Sequence, residues 1–120
     1  MLTKTFEAQV RLEHGVGDTT VAVIDLHGEI NSLAEETLNK AYAEAATPNT
    51  NSILLNFSDV SYINSTGIAL IVGLLAQTRK TGRRLLTAGL SDHYLEIFQI
   101  TRLSDFMSIF PDESAALKSF

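Results

Sequence analysis

Two adjacent hydroxyl groups, those of Ser65 and Thr66, stand where a polar turn meets a long apolar run. The apolar run predicts a helix from about Thr66 to Thr81. Asn64, Ser65 and Thr66 all favour the position before a helix, where a side-chain oxygen accepts hydrogen bonds from free backbone N–H groups. Those N–H groups and the helix dipole also stabilise an anion. Ser65 is therefore a candidate phosphoacceptor, and a plain helix cap is the alternative.

Small residues follow Ser65 along one side of this predicted helix. Ala69 and Gly73 come at intervals of four, so they line up with the serine. Such a stripe would let another protein approach the hydroxyl closely, whereas tight packing against a neighbouring helix explains the pattern equally well. The other positions are apolar nearly all round, which predicts either burial between a sheet and a helix or an exposed patch. They form two stripes: Ile68, Ile71, Val72 and Leu75, and Leu70 with Leu74.

The predicted elements that must position these residues alternate along the chain. Strands are predicted at 6–12, 20–26, 52–57, 83–88 and 106–110, with 52–57 central and the segments 28–31 and 58–59 leaving the sheet. Helices are predicted from a Ser32–Glu35 capping box to Ala46, at 66–81 with Gly82 ending the helix, at 92–100 with Ser91 as the cap, and at 111–120. The first two strands read as a hairpin around a turn at 15–18, and the later strands favour parallel crossovers. The predicted fold class is α/β, with a mixed β-sheet and packed α-helices in a single domain over residues 1–120.

Composition excludes several classes of function. The chain has 120 residues, a net charge of -5 and no cysteine, so it has no disulfide framework and no thiolate metal site. An acidic chain is a poor partner for nucleic acid or an anionic membrane, and the basic pairs at 79–80 and 83–84 are expected at a helix end and a solvated strand end. No signal segment and no apolar run long enough for direct membrane insertion is visible. We therefore expect a cytoplasmic protein.

Evidence for catalysis or a bound cofactor is weak. His14, His27 and His93 are scattered without the spacing of metal ligands. No Gly-rich loop ends in Gly-Lys-Ser/Thr, so any ATP would have to be bound by a partner. Asp105 and Asp112 have no recognisable carboxylate partner for acid–base work. We therefore predict a binding protein rather than an enzyme, with no catalytic residue, no metal and no cofactor.

The run from Val60 to Leu70, with the turn at 28–31 and the order of the elements, resembles the STAS domain family. It is most similar to the bacterial anti-sigma factor antagonists, and the resemblance covers essentially the whole chain. The run Asn64-Ser65-Thr66-Gly67-Ile68 is similar to the family's Asp-Ser-Ser/Thr-Gly-Leu phosphorylation motif. The resemblance places the phosphoacceptor at Ser65.

The resemblance implies a protein–protein switch. The unphosphorylated form would bind an anti-sigma factor that is itself a serine kinase with bound ATP and magnesium. Phosphorylation would end binding, and a serine phosphatase would reset the switch. The predicted partner-binding residues are Asn31, Ser32, Asn64, Ser65, Thr66, Gly67, Ile68, Ala69 and Gly73. The alternative is an unphosphorylated STAS module with a scaffold role in a transporter complex, either a lipid transporter subunit or a domain of a sulfate-transporter-type protein.

Two positions depart from the family pattern. Asn64 and Asn31 stand where the family usually has Asp. Asn keeps the size and one acceptor but loses the negative charge. A phosphate nearby would then be less repelled, while acidic contacts used by a kinase would be lost.

Overall fold

One mixed sheet organises the molecule in the computed structural model, which describes residues 6–17 and 19–120. Its five strands lie in the order β1-β2-β3-β4-β5, with β1 antiparallel to β2 and the remaining pairs parallel. The strands are β1 (Glu7–His14), β2 (Thr20–Ile30), β3 (Ser52–Ile63), β4 (Arg84–Ala88) and β5 (Ser108–Phe110). The predicted hairpin, parallel crossovers and α/β class are confirmed. Of the predicted turn at 15–18, position 18 lies outside the described residues.

Helices cover both faces of this sheet because its strands are apolar on both sides. The helices are α1 (Glu35–Ala45), α2 (Ser65–Lys80), α3 (Asp92–Ile100) and α4 (Glu113–Leu117). Residues of α1, α2 and α3 share a core with Ile24, Ile53 and Leu55. The alternate residues Val23 and Leu54 face the other way and pack with α4. The run 53–57 therefore forms the central strand, as predicted, buried on both sides.

Two strands run further than the sequence predicts. The segments 28–31 and 58–59 were expected to leave the sheet, but β2 continues to Ile30 and β3 to Ile63. Their pairing survives through two register shifts, and Gly28 accommodates the irregular backbone with a φ of 101°. Because both strands are extended, they end side by side at Ile30 and Ile63. The turns that begin with Asn31 and Asn64 follow directly.

Other predicted boundaries were also wrong. The Ser32–Glu35 capping box does not form, because a 3₁₀ helix (Ser32–Ala34) intervenes and α1 begins without a side-chain cap. The last strand begins at Ser108 rather than 106, after a 3₁₀ helix at Leu103–Asp105. α4 is capped by Asp112 and spans only 113–117. None of the described helices is long and apolar enough to cross a membrane.

Candidate functional site

The site lies where two neighbouring parallel strands end. Ile30 and Ile63 are partners in the register of β2 and β3, so the turns that follow them are side by side. The Asn64 N–H donates to the Ile30 carbonyl oxygen at 3.2 Å, which ties the two turns together. The carboxyl ends of parallel strands are a common location for binding sites. Asn31 and Asn64, two of the predicted partner-binding residues, therefore lie in adjacent turns.

Asn64 takes the capping role at the start of α2. Its Oδ1 accepts from the Gly67 N–H at 2.8 Å, and its carbonyl oxygen accepts from the Ile68 N–H at 2.9 Å. Ser65 and Thr66 are therefore not the caps, and both side chains are exposed as the first two residues of the helix. Their backbone N–H groups precede the first intrahelical hydrogen bond and point to the open end. The start of α2 thus offers an exposed hydroxyl beside free donors.

Asn31 caps the neighbouring turn in the same way. Its Oδ1 accepts from the Leu33 N–H at 2.9 Å at the start of the 3₁₀ helix. Ser32 and Leu33 are exposed there, and the 3₁₀ helix contacts α2. Both family positions that usually carry Asp are therefore occupied by neutral caps. Both caps form their hydrogen bonds through neutral amide groups.

Gly67 allows the start of α2 to pack directly on the end of β2. A Cβ at this buried position would lie 2.9 Å from Ile63 Cγ2 and closer still to the Ile30 carbonyl oxygen. No side chain fits without a shift of the backbone. Gly67 therefore determines how closely the start of α2, and with it Ser65, packs on β2. Because Gly67 is buried, it is not accessible to a partner.

A buried tyrosine holds the end of β3. The Ile63 N–H donates to Tyr94 Oη at 2.8 Å, and Tyr94 lies on α3, whose start is capped by Ser91 as predicted. This bond satisfies a backbone donor one residue before Asn64. The long-range contact therefore positions the cap that begins α2.

The outer face of α2 is small and exposed. Ser65, Ala69 and Gly73 are all exposed, and a Cβ added at Gly73 would meet nothing within 4 Å. Packing of this stripe against a neighbouring helix, the alternative interpretation, is wrong for the described part of the chain. The opposite side of α2 is buried through Ile71, Leu74 and Leu75, while Ile68 and Leu70 are half-buried. The stripe extends about 12 Å at 1.5 Å per residue.

Two apolar side chains beside this stripe were not among the predicted site residues. Val72, seven residues after Ser65 and so on the same side, is 43% exposed, although the sequence pattern grouped it with Ile68, Ile71 and Leu75. Leu33 is 87% exposed at the neighbouring turn. The spacing from Ser65 could have identified Val72, but no pattern marks Leu33. We call Ser65, Ala69, Val72, Gly73 and Leu33 together the α2 surface.

Charged groups are absent from the start of this helix. The first charged side chain in α2 is Arg79, near its end. Within the described residues no group of His, Asp and Glu side chains is placed to hold a metal ion. His27 Nδ1 and Asp59 Oδ2 lie 3.0 Å apart as an isolated pair. A phosphate on Ser65 would thus introduce a full charge into a part of α2 that has none.

The strongest ionic cluster lies on the other face of the sheet. Arg11 Nε donates to Asp25 Oδ2 at 2.7 Å, and Arg11 Nη1 donates to Glu113 Oε2 at 2.9 Å. Asn56 Nδ2 also donates to Asp25, at 2.8 Å. The hydrogen bonds from Arg11 hold the pKa of Asp25 below its ordinary value, and those with Glu113 and Asp25 raise the pKa of Arg11. We call these residues the Arg11 cluster, which joins β1, β2, β3 and α4.

Comparison with known proteins agrees with the fold. A family model described as "STAS domain" matches residues 11–116. An anti-sigma-B factor antagonist of Staphylococcus aureus (strain NCTC 8325 / PS 47) is 30% identical over 86 residues, which are 72% of this chain and 80% of that protein.

Two solved structures are similar across most of the chain. The Bacillus cell fate determinant SpoIIAA in its phosphorylated form has a TM-score of 0.63 and 25% identity, covering 90% of this chain and 96% of that one. A sulfate transporter family protein from Wolinella succinogenes has a TM-score of 0.71 and 18% identity, covering 81% of each chain. The second likeness concerns the fold alone.

Proposed function

Since this chain belongs to the STAS domain family, we propose that it acts as an anti-sigma factor antagonist controlled by phosphorylation of Ser65. The unphosphorylated chain binds an anti-sigma factor through the α2 surface and the Asn31–Ser32 turn. That anti-sigma factor is also a serine kinase and carries the ATP. The relative from Staphylococcus aureus, named as an anti-sigma-B factor antagonist, supports the general role. The proposed location is the cytoplasm.

The observation that carries the proposal is the exposed Ser65 hydroxyl at the first position of α2. Asn64 already caps the helix, so the hydroxyl has no structural task there. Small residues continue from it along the exposed side, so a kinase could bring a nucleotide close without a steric clash. Thr66 is exposed as well, which makes it the natural control for the choice of acceptor.

The proposed reaction transfers the γ-phosphoryl group of the partner's ATP to Ser65 Oγ. The Oγ–P bond forms as the bond between the β,γ-bridging oxygen and the γ-phosphorus breaks; ADP leaves and the hydroxyl proton is released to a base of the kinase. The product carries about −1.5 to −2 charges at neutral pH. Free N–H groups at the start of α2 favour that charge within the chain.

Across an interface the same phosphate is unfavourable. It brings charge and bulk onto a surface of small and apolar residues, and a partner seated there would have to desolvate it. Binding should therefore end while the fold stays almost unchanged. A serine phosphatase would then restore the binding form.

Incubation of the chain with the cognate kinase and ATP, followed by mass mapping, tests the assignment. Wild type should take up one phosphate at Ser65, Ser65→Ala none, and Thr66→Ala should keep the uptake at Ser65. Uptake by Ser65→Ala at the wild-type rate would show that the acceptor is wrong. Tight binding of the kinase without any uptake would show that Asn64 and Asn31 have made the chain a fixed binder.

The partner itself is identified by capture from the native cytosol with the wild-type chain, with Ser65→Ala and with Ser65→Asp. We expect a kinase of the anti-sigma type to be retained by wild type and by Ser65→Ala but lost by Ser65→Asp. Retention of transporter subunits by all three forms would instead support the scaffold role.

A further inference from the structure

An open cavity of about 380 Å³ lies at the end of α2 opposite to Ser65. At 1.5 Å per residue, the helix separates it from the serine by roughly 21 Å. It lies at the start of β4 and beside the 3₁₀ helix at Leu103–Asp105. The residues that line it are Leu75, Thr78, Arg79, Arg83, Arg84, Leu85, Asp105, Phe106, Met107 and Ser108.

Positive charge is concentrated in this cavity although the chain carries a net charge of -5. Three arginine residues line it, against a single acidic residue, Asp105. That carboxylate is already engaged, because Asp105 Oδ2 accepts from Arg102 Nε at 2.7 Å. Like charges brought together in one cavity repel each other unless a counter-charge is present. We call this cavity the arginine pocket.

One of the three arginines has a structural task. Arg83 Nε donates to the Thr50 carbonyl oxygen at 2.9 Å, and its Nη2 donates to the Thr47 carbonyl oxygen at 2.8 Å. It thereby holds the loop between α1 and β3. Arg83 and Arg84 stand at the partly exposed start of β4, as expected, and the Arg83 side chain is in addition tied to that loop.

The other two arginines keep most of their donors. Arg84 Nη2 donates to Ser108 Oγ at 3.1 Å, and each guanidinium lies 5.1 Å from the centre of an aromatic ring, Arg84 over Phe120 and Arg79 over Phe106. A guanidinium has five N–H donors, so Arg79 and Arg84 retain most of theirs among the described residues. Cation–π contacts fix the planes without using those N–H groups.

The end of α2 does not need the Arg79 and Arg84 side chains as hydrogen-bond donors, although Arg79 lies in the last turn as expected. The last carbonyl groups of α2 already have partners: the Thr81 N–H and Oγ1 donate to the Gln77 carbonyl oxygen, and the Arg83 N–H donates to the Thr78 carbonyl oxygen at 2.8 Å. Gly82, with a φ of 72°, closes the helix end as predicted. Arg79 and Arg84 are therefore not needed as caps.

We propose that the arginine pocket binds a small polyanion, with its phosphate or carboxylate groups held by Arg79 and Arg84. The forked guanidinium matches both anions and forms strong charge-assisted hydrogen bonds with them. Leu75, Leu85 and Met107 give the cavity an apolar floor beneath the arginines. The site is independent of the α2 surface, so a ligand here can be bound whether or not Ser65 is modified.

Thermal unfolding of the unmodified chain, with ionic strength held constant by sodium chloride, tests this proposal. Pyrophosphate and citrate are the probes, and we expect at least one of them to raise the Tm with a saturable dependence. Response to pyrophosphate alone identifies a phosphate ligand, and response to citrate alone a carboxylate ligand. No saturable rise with either probe overturns the proposal.

Matched variants separate the pocket from general ion effects. Arg79→Gln and Arg84→Gln should each weaken the apparent affinity about tenfold, the loss of one charge-assisted hydrogen bond. Lys40→Gln, on exposed α1, should leave it unchanged. An undiminished response in the double Arg79→Gln/Arg84→Gln variant overturns the assignment. If that variant fails to fold, amide shifts of the wild type on adding the probe decide: shifts at 106–108 support the pocket, and shifts elsewhere alone contradict it.

Discussion

The start of α2 and the Arg11 cluster lie on opposite faces of the sheet, and both are polar. In the Arg11 cluster every partner is a side chain of the same chain, and Arg11 donates to three carboxylates. At the start of α2 only the cap is satisfied internally, while Ser65 and Thr66 remain exposed. The difference separates polar groups that hold the architecture from polar groups that remain available to another molecule.

Substitution of Gly67 has the largest expected effect on stability, because this residue lies beneath the site and packs against Ile30 and Ile63. Gly67→Ala would press its Cβ against the Ile30 carbonyl group and Ile63 Cγ2. We expect a loss of roughly 3 kcal/mol in the free energy of unfolding, the upper range for overpacking. Urea denaturation followed by circular dichroism measures it.

Gly73→Ala on the same helix is the matched control. Its Cβ enters open space, so higher helix propensity should stabilise the chain by about 0.5–1 kcal/mol. Gly73→Trp should fold but weaken binding of the anti-sigma factor. If Gly73→Trp unfolds instead, Gly73 is a packing residue like Gly67, and the two glycines do not differ in role.

Arg11→Met should destabilise the chain by about 2 kcal/mol at neutral pH, since charge-assisted hydrogen bonds to Asp25 and Glu113 are lost together. Because the pKa of Asp25 is lowered in the folded state, its contribution is present above the ordinary carboxyl pKa and is lost as the pH falls through the folded value. Wild type should therefore lose more stability than Arg11→Met between neutral pH and about pH 3.

The measurement is a pair of urea titrations of wild type and Arg11→Met at the two pH values. Phosphorylation of Ser65 by the kinase at neutral pH should proceed at the wild-type rate in the variant. If the free energies of unfolding of the two proteins fall equally as the pH is lowered, the Arg11 cluster makes no pH-dependent contribution to stability. Loss of phosphorylation in a folded variant would mean that the two faces of the sheet are coupled.

Tyr94→Phe removes one buried hydrogen bond beneath the site and keeps the aromatic ring that packs there. The Ile63 N–H would lose its acceptor in a buried position, at a cost of about 1–3 kcal/mol. Hydrogen exchange should accelerate at Ile63 and Asn64 more than at Leu54, which is unconnected to the tyrosine. Uniform acceleration along β3 would contradict a local role for this bond.

Asn64→Asp gives the smallest expected effect and tests the neutral cap. Asn and Asp cap equally well, so only the helix dipole changes, by about 0.3–1 kcal/mol in favour of the variant. The gain should disappear once Ser65 is phosphorylated, because two negative groups then share the same helix end. Thermal unfolding of both forms of both proteins measures this, and a gain that persists would show that the cap charge does not reach the phosphate.

Much of the fold could be predicted because its signals are local. Alternating and continuous apolar runs, with Ser91 and Gly82 as helix boundaries, place the hairpin, the central strand and the helices close to their observed positions. The start of α2 at Ser65 was predicted within one residue. Of the three candidate caps, however, the sequence left the choice open, because all three side chains favour that position.

The remaining features depend on contacts between distant residues. The Arg11–Glu113 pair spans 102 positions, and the capping box at Ser32 failed because Asn31, at the end of an extended β2, caps the 3₁₀ helix instead. Such pairings follow from strand register, which no local pattern encodes.

Sequence alone determined where a hydroxyl and a row of small residues follow a strand, because these are properties of type and spacing. Only the tertiary structure decided that Ser65 is free of the cap, that the Gly73 side of α2 is uncovered, and that Gly67 rests on Ile30. Exposure depends on which other elements pack nearby, so it becomes defined only when the sheet and its helices assemble.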